Sequence, residues 1–202
     1  VFGMERAKWT PYEEADLVQY DVTAPFIRQF AGPMDYTQGA MLNANRTLYR
    51  ARRNEPMSLG TRCRQLAEYI VFESPLVMLC DSPTKYREED ACTRYIASVP
   101  TVWDETRPLV GRIGECAVLA RRKGESWYVG GLTDWNSRTL TLDLEMLGPG
   151  DYEVTLFRDG CNADRYAQDY AVETFRLGNS RQLTVTMAPG GGFAATITPV
   201  NE

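Results

Sequence analysis

The chain has 202 residues, a net charge of −5, 44% apolar and 24% charged side chains, and no histidine. These values fit an ordinary folded protein with one large or two small cores and exclude a disordered tail. The basic residues are scattered rather than gathered on one face, which excludes a nucleic-acid partner, and apolar runs such as Leu76 to Cys80 fall far short of the roughly 20 residues of a membrane-spanning helix.

Without histidine, Ser-His-Asp and Cys-His catalysis and the commonest zinc ligands drop out together, leaving carboxylates, tyrosines and lysines for any chemistry. The five cysteines form no CxxC pair and are odd in number, so core thiols are expected rather than a zinc site or a complete disulfide framework. Val1 to Glu5 has neither the basic start nor the apolar core of a signal peptide, and the chain is expected to begin inside a longer one.

Val1 to Met4 reads as a candidate strand with Glu5 at its carboxyl end. The passage DVTAPFIRQFAG, from Asp21 to Gly32, reads as a short helix with Asp21 as its cap and Phe26, Ile27 and Phe30 on its apolar face. Pro33 to Thr37 is a brief strand, and the polar stretch to about Pro56 is a long loop. Leu59, Cys63, Leu66, Ala67, Ile70 and Val71 repeat at helical spacing and predict a helix with one buried face. Leu76 to Cys80 then suits a parallel strand covered on both sides, ending at Asp81. Ser82 and Pro83 open another helix that runs to about Ser98.

This alternation predicts a parallel α/β arrangement of the kind found in eight-stranded barrels, although three strands cannot close one. Left alone, the strands would expose apolar edges unless another chain or a second copy covered them. After Pro100 the helical spacing gives way to period-two alternation, as in Glu115 to Ala120, Trp127 to Leu132 and Thr139 to Leu144. With regular turn signals, that predicts an antiparallel β-sandwich of seven or eight strands. The fold class is therefore α/β then all-β, with a division at 1–104 and 105–202.

Catalytic groups of barrel enzymes stand at the carboxyl ends of strands. Glu5 meets that condition, and its apolar neighbours would raise its pKa as a general acid requires, although a strand-end surface glutamate would look the same. Asp35 and Asp81 end the next two candidate strands and are expected at the same opening, as sugar-binding carboxylates; helix capping is the alternative for Asp81. Glu73 reads as structural, and Trp103-Asp-Glu-Thr106 as a pin between the two parts.

The segments FGMERAKW (2–9), TAPFIRQFAGPMDYTQGAM (23–41), QLAEYIVFESPLVMLCDSP (65–83), VPTVWDETR (99–107), ARRKGESWYVGGLTDW (120–135), FRDGCNADR (157–165) and APGGGFAA (188–195) together resemble glycoside hydrolase family 97. The resemblance implies the last strands and helices of a (β/α)8 catalytic barrel followed by a C-terminal β-sandwich, from a periplasmic bacterial enzyme acting on α-glucosides or α-galactosides. It also implies Glu5 as the catalytic acid. Calcium is expected in the full-length parent, with its ligands and the second carboxylate before Val1 and no metal ligand in this chain. A non-catalytic carbohydrate-binding or accessory module is the competing reading.

Overall fold

The computed structural model describes residues 15–52 and 54–200. Eight strands build the β part: β5 (Glu105–Arg112), β6 (Cys116–Lys123), β7 (Ser126–Thr133), β8 (Arg138–Asp143), β9 (Tyr152–Asp159), β10 (Tyr170–Leu177), β11 (Gln182–Met187) and β12 (Gly192–Pro199). Six form one antiparallel sheet in the order β10-β9-β12-β7-β6-β5, and β11 pairs with β8 in a small second sheet. The alternation works as the sequence suggests. Leu183, Val185 and Met187 are buried between exposed threonines. They meet Val118, Val129, Leu156 and Phe193 of the large sheet in one core.

The other face of the large sheet is covered by helices. Before it come α1 (Leu17–Ile27), a 3-10 turn (Gln29–Ala31), β1 (Tyr36–Gln38), β2 (Leu42–Ala44), β3 (Met57–Leu59), α2 (Arg62–Val71), β4 (Val77–Leu79), α3 (Pro83–Glu88) and α4 (Asp90–Ser98). β1 pairs in parallel with β4, and β2 with β3. The short strand β2 lies inside the stretch expected to be a long loop, and β3 begins directly after it.

α2 sits on β7 and β12 at very short range, because the sheet is nearly bare beneath it. A methyl group on Gly130 would stand 2.8 Å from Ile70 Cβ and 2.9 Å from the Ala67 carbonyl, and one on Gly192 would stand 2.8 Å from Arg64 Cα. Ala194, between them on β12, is fully buried. The helix is capped by Thr61, whose hydroxyl accepts from the Arg64 amide at 3.2 Å. Its first amides donate outward to the β part, Thr61 to Gly190 O at 3.0 Å and Arg62 to Ala167 O at 2.8 Å.

Several expectations change. α2 is buried along all ten residues, not along one face, because the sheet lies on one side and β1, α4 and, through Arg64, α1 lie around the rest. α1 starts at Leu17, capped by Asp16, whose carboxylate accepts from Gln19 N at 3.1 Å; Asp21 lies inside the helix and is buried. The helix after Ser82 breaks at Glu89 into α3 and α4. β4, expected to be covered on both faces, leaves Met78 and Leu79 exposed, and Leu76 before it is 69% exposed.

Trp103 pins the two parts as expected, edge-on to Tyr128 at 5.3 Å, while Asp104 accepts from Lys123 and from the Gly124 amide. Cys63, Cys92 and Cys116 are buried free thiols.

The two edges of the large sheet differ. β5 carries Pro108 and a register shift between Pro108 and Val110, both of which disrupt strand pairing. β10 pairs with β9 in unbroken register over all eight residues and contains no proline.

Replacing Gly130 by alanine should lower stability by about 1–3 kcal/mol, since α2 must lift from the sheet to admit the methyl group. Gly178→Ala, where nothing lies within 4 Å of the added carbon, should change it by no more than about 0.5 kcal/mol. Thermal or denaturant unfolding of the two variants checks the contrast; equal effects would mean that the close approach of α2 is not under compression.

Candidate functional site

The parallel pair β1–β4 gives this part of the molecule two distinct ends. Asp35 immediately precedes β1, and Tyr36 registers with Val77, so Asp35 lies at the amino end of the pair and is exposed. Asp81 lies beyond Leu79, at the carboxyl end. The expectation that the two carboxylates share one opening is therefore corrected: they stand at opposite ends of the same strands. The cause is a strand that begins at Tyr36, later than Pro33. Glu5 lies outside the described residues.

At the carboxyl end, Asp81 is engaged with backbone. Its Oδ2 accepts from the Met41 amide at 2.9 Å and its Oδ1 from the Ser82 amide at 2.7 Å, so it ties the loop after β1 to the start of α3. Helix capping proper belongs to Ser82, whose hydroxyl accepts from Lys85 N. Tyr86 donates to Gly39 O at 3.1 Å and Tyr69 to Gln38 O at 3.1 Å. Burial pushes the hydroxyls of Tyr69 and Tyr86 and the Cys80 thiol well up, so all three are neutral. Gln38, the last residue of β1, is fully buried, and neither atom of its amide has a hydrogen-bond partner among the described residues.

Behind these residues lies a charged group that helical spacing does not reveal. Arg64 is fully buried; it donates to Thr133 O of β7 and to Val18 O of α1, each at 2.8 Å, and to Asp21 Oδ2 at 3.4 Å. Its Nε stands 3.6 Å from Glu68 Oε1. Tyr36 donates to Asp21, while Gln65 donates to Glu68 at 3.0 Å and accepts from the Gly39 amide at 2.9 Å. Two carboxylates thus face one guanidinium. Burial, then the neighbouring Asp21, drives the Glu68 carboxyl well above the usual range; burial raises Asp21 too, but Arg64 and the Tyr36 hydroxyl favour its ionised form, so the proton rests on Glu68 and Asp21 pairs with Arg64.

Arg62, one turn edge away, reaches Glu89, Asn43 Oδ1 at 3.1 Å, Met41 O and Gln168 Oε1 at 3.0 Å. The only advance signal for either arginine is the i, i+4 pair Arg64 and Glu68, which on an exposed helix means little.

A third buried acid closes the β part. Asp159, at the end of β9, accepts from the amides of Ala188 and Gly192 at 2.9 and 3.1 Å and so fixes the β11–β12 turn. Burial pushes its carboxyl up to about 6 despite those donors. Among the described residues no group of three or more histidine, cysteine, aspartate or glutamate side chains is placed to hold a metal ion. No helix among them is long and apolar enough to cross a membrane.

Arg64→Met should cost about 3–5 kcal/mol, because it strands the Asp21 carboxylate. Glu68→Gln, which mimics the protonated acid, should leave stability near neutral pH within about 1 kcal/mol. Chemical denaturation checks both, and a severe loss in Glu68→Gln would show that Glu68 is ionised.

An acid whose pKa is higher folded than unfolded favours the native state at low pH. That contribution is complete below 3.8 and lost as pH rises through about 6. Asp159→Asn should therefore gain on the order of 3 kcal/mol relative to the parent chain between those pH values, measured as the difference between their unfolding free energies. A difference independent of pH would place the Asp159 pKa at its ordinary value.

Residues 102–198 match the family model described as glycosyl-hydrolase 97 C-terminal, oligomerisation. The chain is 54% identical to a retaining alpha-galactosidase of Bacteroides thetaiotaomicron, over 98% of this chain and 30% of that protein. It is 32% identical to a probable retaining alpha-galactosidase of Streptomyces bingchenggensis, over 91% of this chain and 26% of that one. It thus spans less than a third of the length of these curated relatives. Among solved structures, it is similar to a Glycoside Hydrolase Family 97 enzyme in complex with acarbose from Pseudoalteromonas sp. strain K8. The TM-score is 0.85 and the identity 30%, over 98% of this chain and 31% of that one. A beta-arabinopyranosidase structure shares the fold with a TM-score of 0.74 at 24% identity, over 97% and 29% of the two chains.

Proposed function

Because this chain belongs to glycoside hydrolase family 97, we propose that it forms the later part of a retaining α-galactosidase. In this reading residues 1–104 supply the last strands and helices of a (β/α)8 barrel and residues 105–202 its C-terminal β-sandwich. The observation that carries it is the unfinished parallel pair. β1 and β4 run side by side with Gln38 buried yet unpaired at their carboxyl ends, while Leu76, Met78 and Leu79 lie exposed. Both features fit strands meant to be flanked by others, and relatives more than three times as long have chain enough to provide them.

Retention requires two carboxyl groups roughly 5–5.5 Å apart. Glu5 is the acid: its proton passes to the glycosidic oxygen as the bond from that oxygen to the anomeric carbon breaks. A carboxylate from outside this chain attacks the anomeric carbon, and Glu5, now ionised, takes a proton from the water that later displaces it. Asp81 acts through the loop it holds, fixing Met41 and the start of α3 at the rim of the pocket, with the neutral phenols of Tyr69 and Tyr86 behind. In this reading the calcium that the resemblance implies is held by carboxylates outside this chain.

The β part has a second task in this reading. The description of its matching family domain names oligomerisation, and the regular, proline-free edge of β10 offers the surface for a second copy.

The test uses the longer protein with melibiose and p-nitrophenyl α-galactoside. Glu5→Gln should lower the turnover of melibiose by about 10²–10⁴ and that of the nitrophenyl galactoside much less, since nitrophenolate departs without a proton. Equal losses on both substrates would remove Glu5 from the acid role, and an active protein lacking residues 1–104 would overturn the barrel assignment.

A further inference from the structure

Between β9 and β10 the sandwich sends out a loop, from Gly160 to Asp169, whose backbone is closed on itself. The Gly160 amide donates to Asp169 O at 3.0 Å, the Tyr166 amide to Asn162 O at 2.8 Å and the Asp169 amide to Tyr166 O at 2.8 Å. Asp169 Oδ2 accepts from the Asn162 amide at 2.8 Å, and Ala163 and Ala167 are buried. This loop is seated at the carboxyl end of the β1–β4 pair. α2 starts at that end, since Glu73 O, beyond its last residue, accepts from the Met34 amide just before β1. Ala167 O accepts from the Arg62 amide at 2.8 Å, and Asn45, just after β2, donates to Asp164 O at 3.1 Å.

Arg62 carries the contact inward. Its side chain is 2% exposed, and its guanidinium presents five N–H donors in a flat, fixed fork. Nε donates to Asn43 Oδ1 on β2 at 3.1 Å, and one terminal nitrogen pairs with Glu89 between α3 and α4. The other terminal nitrogen donates both to Met41 O and, at 3.0 Å, to Gln168 Oε1. Among these side-chain partners Gln168 alone belongs to the sandwich. Met41 is also held from its other side, because its amide donates to Asp81 Oδ2 at 2.9 Å. Hydrogen bonds therefore run without a gap from Asp81 through Met41 and Arg62 to Gln168. Since a single nitrogen serves both Met41 and Gln168, the place of one acceptor sets the direction in which the other is met.

We propose that Gln168 is a positioning residue for the galactosidase reaction: acting through Arg62, it lets the sandwich set where the Met41 rim of the pocket stands. This rests on the reading of the chain as the later part of a retaining α-galactosidase. Gln168 touches no reacting atom, and its effect is on alignment, where a misplacement of 1 Å costs up to about a hundredfold in rate. Gln168→Leu removes one acceptor and leaves the other partners of the fork in place, so a smaller loss is expected.

The experiment uses the longer protein and two variants, Gln168→Leu and Gln168→Glu, the second of which keeps an acceptor at the same reach. Steady-state kinetics on melibiose are combined with hydrogen exchange of the segment 39–43 and with the melting temperature. Gln168→Leu should lower kcat about tenfold with KM within about twofold, and speed exchange of that segment at least about tenfold, while the melting temperature stays close to that of the parent. Gln168→Glu should bring kcat and exchange back to within about twofold of the parent. Unchanged kcat or unchanged exchange in Gln168→Leu overturns the proposal, and so does a Gln168→Glu protein as impaired as Gln168→Leu. A parent protein that cleaves neither melibiose nor p-nitrophenyl α-galactoside sinks the galactosidase reading instead; the exchange rates then still decide whether Gln168 holds the Met41 rim.

Discussion

A fully buried guanidinium ties two helices to the sheet that both of them cover. Arg64 on α2 reaches backbone carbonyls on α1 and on β7, and it pairs with Asp21 on the way. Such a charge is tolerable only when every neighbour is in place, since removing a single partner leaves an ion in a low-dielectric interior. The close seating of α2 over Gly130 and Gly192 is thus part of the electrostatics as well as of the packing. Only at that distance can the Arg64 fork meet Thr133 O. The α/β part and the sandwich consequently share cores: Ala67 and Val71 pack with Ala117 and Leu132, and Cys63 and Ile70 with Phe157 and Ala194.

The sandwich was legible in the sequence because runs such as Thr139 to Leu144 repeat with period two between strong turn signals; burial alternates cleanly along β11, whereas β6, β7 and β12, covered on both faces, are buried along most of their length. The α/β part was legible only in outline. Its helices follow from apolar spacing, but spacing cannot tell that Arg62, Arg64 and Glu68 are inside, because their partners Thr133, Gln168 and Val18 lie far away along the chain. Asp21 before Pro25 looks like a cap, yet Asp16 performs that role and Asp21 serves the buried pair instead. Asp35 shows how sensitive site prediction is to strand bounds: a shift of a few residues moves a carboxylate from one end of a parallel pair to the other. Gln38 and Asp159 carry no local signal at all, since an unpaired polar atom is a property of the assembled structure.

The unlike edges of the large sheet limit the symmetry open to any assembly of this chain. Sheet-to-sheet growth from head to tail would need β10 of each copy to join β5 of the next, and Pro108 with its register shift spoils that junction. β10 against β10 is the remaining strand pairing, and it relates the two copies by a two-fold axis. Such a contact would use up both β10 edges at once and stop at two, so the proline that disturbs β5 also removes the large sheet's route to an open-ended filament.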